Sequence, residues 1–129
     1  MEPLIAIVDD DLRNAFALST VVELVGFRDA WFDGGDDFMA RYKPEHGCVL
    51  LDMLMPGTDG PQVLRRMKTL GWSVPVIAYC LDPRSEAAAR QLGAAGFLLK
   101  PIPPEELLDL IRLLVETPEA DEPFICPAG

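Results

Sequence analysis

The sequence predicts a single α/β domain, in which helices cover both faces of a doubly wound parallel sheet of five strands. Short apolar runs alternate strictly with longer stretches of helical period, and the alternation repeats five times. The runs are apolar on both faces, as the buried strands of a parallel sheet are. The chain has 129 residues, half of them hydrophobic, which is enough for one domain with a sizeable core.

The first predicted strand covers residues 4–8, and the helix after it begins at Asp11, whose carboxylate is a good helix cap. We expect that helix to end at Gly26. Residues 30–32 form a weaker second strand. In the first helix, the apolar residues recur at three- and four-residue steps: Ala15, Leu18, Val22 and Val25.

A short second helix is predicted over about 36–42, and it ends before Pro44 because the residue preceding a proline disfavours helical geometry. The third strand, 48–51, leads directly into Asp52. A loop follows, and then a third helix that Gly71 closes. The apolar side of this helix is expected to carry Val63, Leu64, Met67 and Leu70.

The last third of the chain supplies two more strands, 74–79 and 97–99, with an alanine-rich helix between them over about 85–92. A final helix begins near residue 103, where prolines and acids fit the first turn. Its buried stripe is predicted to consist of Leu107, Leu110, Ile111 and Leu114.

We therefore expect one domain over residues 1–117 and a flexible tail rich in proline and acids over 118–129. The formal net charge of -10 argues against a nucleic-acid surface. No apolar run approaches the length of about 20 residues that spans a bilayer. Three cysteines without a CxxC pair predict no disulfide framework and favour a reducing, cytoplasmic location.

Polar residues stand where three of the predicted strands end. Asp9 and Asp10 follow the first strand, Asp52 follows the third, and Lys100 follows the fifth. In an open parallel sheet these ends meet at one edge, where ligands bind. Carboxylates crowded together repel unless a cation lies among them, and oxygen ligands of this kind suit Mg2+. A carboxylate nucleophile, a divalent cation and a lysine are what phosphoryl transfer requires.

The same segments carry a family resemblance. The runs IVDDD at 7–11, DMLMPGTDG at 52–60 and FLLKP at 97–101 resemble, in order and spacing, the three signatures of response-regulator receiver domains of two-component signalling. The resemblance covers residues 3–117. It implies the flavodoxin-like (CheY-like) fold, (βα)5, with strand order 2-1-3-4-5.

The resemblance also implies roles for single residues. Asp52 would take a phosphoryl group from a phosphohistidine, and Lys100 would contact that group. Mg2+ would be held by Asp10 directly, by Asp9 through water, and by Asp52 and the backbone carbonyl of Leu54. The Lys100–Pro101 peptide bond would be cis, which only bonds to proline reach at low cost. Such a domain is a signalling module and not an enzyme, apart from slow phosphorylation and dephosphorylation of itself.

One position departs from the family pattern. Receivers carry Thr or Ser at the end of the fourth strand, followed by a small residue, whereas this chain has Cys80 and Leu81. A thiol donates a weaker hydrogen bond than a hydroxyl does. The aromatic that the hydroxyl normally moves with is present as Phe97. We therefore expect phosphorylation to survive better than the conformational response to it.

The implied partners are a sensor histidine kinase or histidine phosphotransfer protein, and a downstream protein bound through the face of the fourth helix, fifth strand and fifth helix. Whether a homodimer forms through that face is left undecided by the sequence, because Leu81 alters the face. Two alternatives remain. One is a degenerate receiver that binds partners without phosphate, suggested by Cys80 and Leu81. The other is an Asp-nucleophile phosphatase, which would need a second acid that is missing two residues after Asp52.

Overall fold

The computed structural model describes residues 2–116, which fold into five strands and five helices in strict alternation, as predicted. The predicted tail at 118–129 lies outside the described residues, so the domain boundary stays a prediction. Within residues 2–116 no helix is long and apolar enough to cross a membrane. In chain order the elements are β1 Leu4–Val8, α1 Leu12–Leu24, β2 Arg28–Phe32, α2 Gly35–Arg41, β3 Gly47–Asp52, α3 Gly60–Thr69, β4 Val76–Cys80, α4 Ser85–Gln91, β5 Gly96–Leu99 and α5 Pro104–Glu116.

The sheet has the order β2-β1-β3-β4-β5, and every neighbouring pair is parallel. The predicted order 2-1-3-4-5 is confirmed. In the register Val8 of β1 lies opposite Leu51 of β3, and the next residue of β3, Asp52, lies opposite Tyr79 of β4. The carboxyl ends of these strands therefore coincide, and residues that follow them meet at one edge.

Alternate residues of each strand enter two separate hydrophobic cores. In β1, Ile5 and Ile7 pack with the apolar stripes of α1 and α5, whereas Ala6 and Val8 pack with α2, α3 and α4. All four are fully buried. Burying a side chain of this kind contributes about 1.5–3 kcal/mol for the larger members. The sheet is thus fixed from both faces, which makes it a rigid support for the loops at its edge.

Caps decide where the helices next to that edge begin and end. The Asp11 carboxylate accepts a hydrogen bond from the backbone N–H of Arg13 at 2.9 Å, which confirms its predicted role as the cap of α1. Gly26 follows α1 with φ +92°, a conformation that favours glycine. At α3, Asp59 and Gln62 form a reciprocal capping box.

Some predicted details were wrong at element ends. Leu70 was placed on the buried side of the third helix, but it is 57% exposed because α3 ends one residue earlier. Val25 is 39% exposed for the same reason at the end of α1. The fourth strand runs over Val76–Cys80 instead of 74–79, since Pro75 has no N–H to donate to a neighbouring strand.

Candidate functional site

Three carboxylates meet at the edge of the sheet, and they are the three that the sequence indicated. Asp9 and Asp10 leave the end of β1, and Asp52 is the last residue of the adjacent strand β3. One carboxylate oxygen from each lies within 4.8 Å of the other two. Asp9 is fully buried, Asp52 is nearly so, and Asp10 is exposed. Asp9 and Asp52 therefore form the buried part of the cluster, and Asp10 faces solvent.

The Asp52 carboxylate is held by one donor on each oxygen. Its Oδ1 accepts the backbone N–H of Leu54 at 3.1 Å, and its Oδ2 accepts the Nζ of Lys100 at 3.2 Å. Burial raises the pKa of Asp52 above its usual value, and the charge of Asp9 raises it further, while the Leu54 and Lys100 contacts act in the opposite direction. The ionised form of this side chain is therefore less favoured here than it is in water.

Lys100 reaches the cluster from the residue after β5. Its backbone N–H donates to the carbonyl of Cys80 at 2.9 Å, and the peptide bond to Pro101 is cis, as the resemblance implied. The ammonium group also lies 5.4 Å from the ring centroid of Tyr79. A cation within about 6 Å of an aromatic face is attracted to it. Lys100 is thus placed between an aromatic ring and the carboxylate of Asp52.

Asp9 is the most heavily hydrogen-bonded member of the cluster. Its Oδ2 accepts from the side chains of Asn14 at 2.5 Å and Tyr79 at 2.7 Å, and its Oδ1 accepts from the backbone N–H of Asp11 at 2.9 Å. Its backbone carbonyl accepts the indole N–H of Trp31 at 2.9 Å. These contacts fix the orientation of Asp9 before any ligand arrives.

Cys80, the residue that departs from the family pattern, lies at the end of β4. It is 6% exposed and belongs to the core shared with α2, α3 and α4, against which the half-buried Phe97 also packs. The hydroxyl of Ser85, the first residue of α4, lies 3.5 Å from its Sγ. Leu81 is 71% exposed. The structure therefore places Phe97 against the cluster that contains Cys80 and turns Leu81 toward solvent.

Three side chains that hydrogen-bond to Asp9 are not among the predicted site residues: Asn14, Trp31 and Tyr79. Only Tyr79 carried a usable signal. A tyrosine within the apolar run of β4 has to bury its hydroxyl, and a buried hydroxyl needs a hydrogen-bond partner. Nothing in the sequence named that partner, which is 70 residues away along the chain.

The donor set fits a small divalent cation. All the candidate side-chain ligands are carboxylate oxygens, which Mg2+ prefers, and exposed Asp10 leaves room for water ligands on the solvent side. Three carboxylates lie close together here, and repulsion from the charge of Asp9 adds to the larger effect of burial in raising the pKa of Asp52. A cation at this edge would relieve that repulsion, so the residues present suit Mg2+.

A doubly wound sheet with an aspartate ending β3, an acidic pair after β1 and a lysine after β5 defines the receiver class of signalling domains. A family model described as the response regulator receiver domain matches residues 5–112. The chain belongs to the response regulator receiver domain family of two-component signal transduction. Receiver domains of this family interact with histidine kinases or phosphotransfer proteins, and they act in signalling.

Solved structures agree with the family assignment. The chain is similar to the BeF3-activated receiver domain of DrrB, with 30% identity and a TM-score of 0.81, and the match covers 90% of this chain and 99% of that one. The crystal structure of FixJ-N superposes with a TM-score of 0.85, covering 93% of this chain and 98% of that chain. At 24% identity, the FixJ-N comparison shows the fold alone.

Curated relatives are longer than this chain. The response regulator protein TmoT of Ectopseudomonas mendocina is 35% identical, and the match covers 86% of this chain and 52% of that protein. The transcriptional regulatory protein FixJ of Bradyrhizobium diazoefficiens is 31% identical, with 89% and 58% covered. The chain thus spans about half the length of these curated relatives.

Proposed function

We propose that Asp52 is the phosphoacceptor of this receiver domain and that Asp9 and Asp10 provide its Mg2+ site. One observation carries the proposal: the buried Asp52 carboxylate lies 3.2 Å from Lys100 Nζ and has two further carboxylates close by. Such an arrangement combines a nucleophile, a mobile positive charge and a cation site within one small volume.

In the proposed reaction a carboxylate oxygen of Asp52 attacks the phosphorus of a phosphohistidine. The P–N bond breaks, its electron pair returns to the imidazole nitrogen of the donor, and Asp52 becomes an acyl phosphate. Lys100 then exchanges its carboxylate partner for an oxygen of the added group. Because the hydrogen bond to the Cys80 carbonyl holds the Lys100 backbone, only its flexible side chain has to move.

The proposed ligands of Mg2+ are Asp10 directly, Asp9 through water, Asp52, and the backbone carbonyl of Leu54. The ion would supply charge neutralisation for the phosphoryl oxygens. The exposure of Asp10 supports a direct contact, since this carboxylate is the accessible member of the cluster. The hydrogen bonds on both oxygens of Asp9 support its indirect role.

Cys80 and Phe97 are proposed as the switch that responds to phosphorylation. Phe97 packs against the cluster that contains Cys80, which supports this pairing, and so does the contact of Cys80 with the first residue of α4. Because a thiol is a weak donor, a phosphoryl oxygen receives a weaker hydrogen bond from Cys80 than it would from a hydroxyl. We infer that the domain accepts phosphate but switches weakly.

The proposed phosphodonor is a sensor histidine kinase or a histidine phosphotransfer protein, and the proposed output surface is the face of α4, β5 and α5. Leu99 is 43% exposed on that face, which supports a protein partner there. The net charge of -10 supports the view that this domain does not itself contact nucleic acid. The free thiols of Cys48 and Cys80 are consistent with a reducing cytoplasm.

Intact-mass spectrometry after incubation with Mg2+ and a small phosphodonor such as acetyl phosphate tests the proposal. The wild-type domain should gain one phosphoryl group, and the gain should be absent with Asp52→Asn or with a chelator. Asp59→Asn is the matched control, because it changes an aspartate of the following loop to another good helix cap and should keep the gain. If wild type gains nothing, the phosphoacceptor role fails, and a degenerate receiver that binds partners without phosphate is favoured.

A further inference from the structure

Tyr79 is a buried polar residue that the proposed chemistry does not use. It lies in β4, next to the central strand β3, is 1% exposed, and donates its hydroxyl hydrogen to Asp9 Oδ2 at 2.7 Å. Along β4 it points to the core of α1 and α5, opposite to Cys80. The hydroxyl therefore contacts Asp9, the buried member of the acidic cluster, from the side away from solvent.

The hydrogen bonds at Asp9 leave its two oxygens unequal. A carboxylate oxygen has two lone pairs, and both on Oδ2 are used, one by Tyr79 and one by Asn14. Oδ1 accepts one hydrogen bond, from the backbone N–H of Asp11, and retains one lone pair. Counting donors from residues 2–116, which the structure describes, only Oδ1 has capacity left for a cation or for a water bound to it.

We propose that Tyr79, together with Asn14, sets the cation selectivity of the site by restricting Asp9 to a single available oxygen. The inference rests on the proposed metal site. Ca2+ favours six to eight oxygen ligands and often takes carboxylates through both oxygens, whereas Mg2+ keeps six ligands in a compact octahedron with several waters. A site in which Asp9 is unable to coordinate through both oxygens therefore favours Mg2+ over Ca2+.

The aromatic ring makes the hydroxyl separable from the rest of the residue. Tyr79→Phe keeps the ring that fills the core and faces the ammonium of Lys100, and it removes only the donor to Asp9. Asn14→Ala removes the second donor to Oδ2 from a partly exposed position on α1. Tyr42→Phe is the matched control, because Tyr42 is also buried but belongs to the aromatic cluster around α2.

The experiment is an amide NMR titration with MgCl2 and, separately, with CaCl2, read at Asp10 and Leu54 without any phosphodonor. The measured quantity is the ratio of the Ca2+ to the Mg2+ dissociation constant. We expect Tyr79→Phe to lower this ratio roughly fivefold, the effect of losing one modest hydrogen bond. Asn14→Ala should lower it in the same direction, and Tyr42→Phe should leave it unchanged.

The outcomes separate this inference from the metal site itself. If wild type binds Mg2+ and the ratio changes by less than about twofold in both Tyr79→Phe and Asn14→Ala, the selectivity role is overturned while the metal site stands. If wild type shows no Mg2+ binding at these amides, the proposed site fails and the inference fails with it. Should Tyr79→Phe not fold, Asn14→Ala alone decides, because it leaves the core intact.

Discussion

The ammonium Nζ of Lys100 lies 3.2 Å from Oδ2 of Asp52, and the two residues are 48 positions apart in the chain. The Asp52 side chain is 3% exposed and that of Lys100 is 22% exposed. The Asp52 carboxylate is therefore a buried charge, and its positive neighbour Lys100 comes from a different strand end, that of β5. The stability of the site and its reactivity are linked through this pair.

Removing Lys100 should destabilise the fold only while Asp52 is charged. We expect Lys100→Ala to lower the free energy of unfolding by about 1–2 kcal/mol, because a buried carboxylate loses its charged partner. In an Asp52→Asn background the same change should cost less than about 0.5 kcal/mol. Urea denaturation of the four proteins, without divalent cations, measures the coupling. Lys43→Ala, at an exposed lysine, is the control, and equal losses in both backgrounds would contradict the prediction.

Asp52→Asn should raise the free energy of unfolding at neutral pH, because the folded pKa of Asp52 is raised by burial and by the charge of Asp9. A raised carboxyl pKa means that the folded state binds the proton more tightly than the unfolded state does. The cost of the charged form is therefore present at neutral pH and fades as pH falls through the folded pKa toward 3.8. Urea denaturation across this pH range should show the advantage of the Asn variant shrinking.

Asp37 provides a comparison of opposite sign for that experiment. The guanidinium of Arg41 donates to both of its oxygens and lowers the pKa of Asp37 to about 2. Asp37→Asn should therefore lose stability at neutral pH, by less than about 1 kcal/mol for a surface pair. That loss should fade only below pH 3.8, as pH falls toward about 2. Parallel profiles for the two variants would refute the assigned causes.

Cys80→Thr should strengthen the response to phosphorylation. A hydroxyl at this place would donate to a phosphoryl oxygen, and about 1 kcal/mol for that bond shifts a two-state switch roughly fivefold. Amide NMR shifts of Phe97 and α4, compared before and after phosphorylation at Asp52, measure the switched fraction. Cys80→Val is the matched control, since valine has the shape of threonine without the hydroxyl. Similar shifts in the two variants would show that the thiol is not the limiting group.

Much of the site follows from the sequence because the fold brings strand ends together. Asp9, Asp52 and Lys100 each follow an apolar run, and the ends of parallel strands converge at one edge. The alternation of strand and helix patterns along the sequence is enough to place these three residues at that edge. Their burial was not predictable to the same degree: adjacent Asp9 and Asp10 look alike in the sequence, yet one is buried and the other is exposed.

The contacts that fix Asp9 depend on side-chain directions that no local pattern contains. Tyr79 of β4 reaches Asp9 across the one strand, β3, that separates β4 from β1. It can do so because the β4 register turns its ring toward α1 and α5. A shift of one residue would turn it to the opposite face. Leu70 illustrates the same limit at a helix end, where the apolar period continues one residue past the last turn.

Cys48 should be unreactive in the folded domain. It lies in β3 with no exposed surface, and burial raises the pKa of its thiol to about 12. At about pH 8 roughly one such thiol in ten thousand is the reactive thiolate. In a variant carrying Cys80→Ala and Cys126→Ala, labelling by a disulfide reagent should therefore be slow and should accelerate with urea as the domain unfolds. Fast labelling that is independent of urea would show that β3 opens locally and that the sheet edge is not the rigid support inferred here.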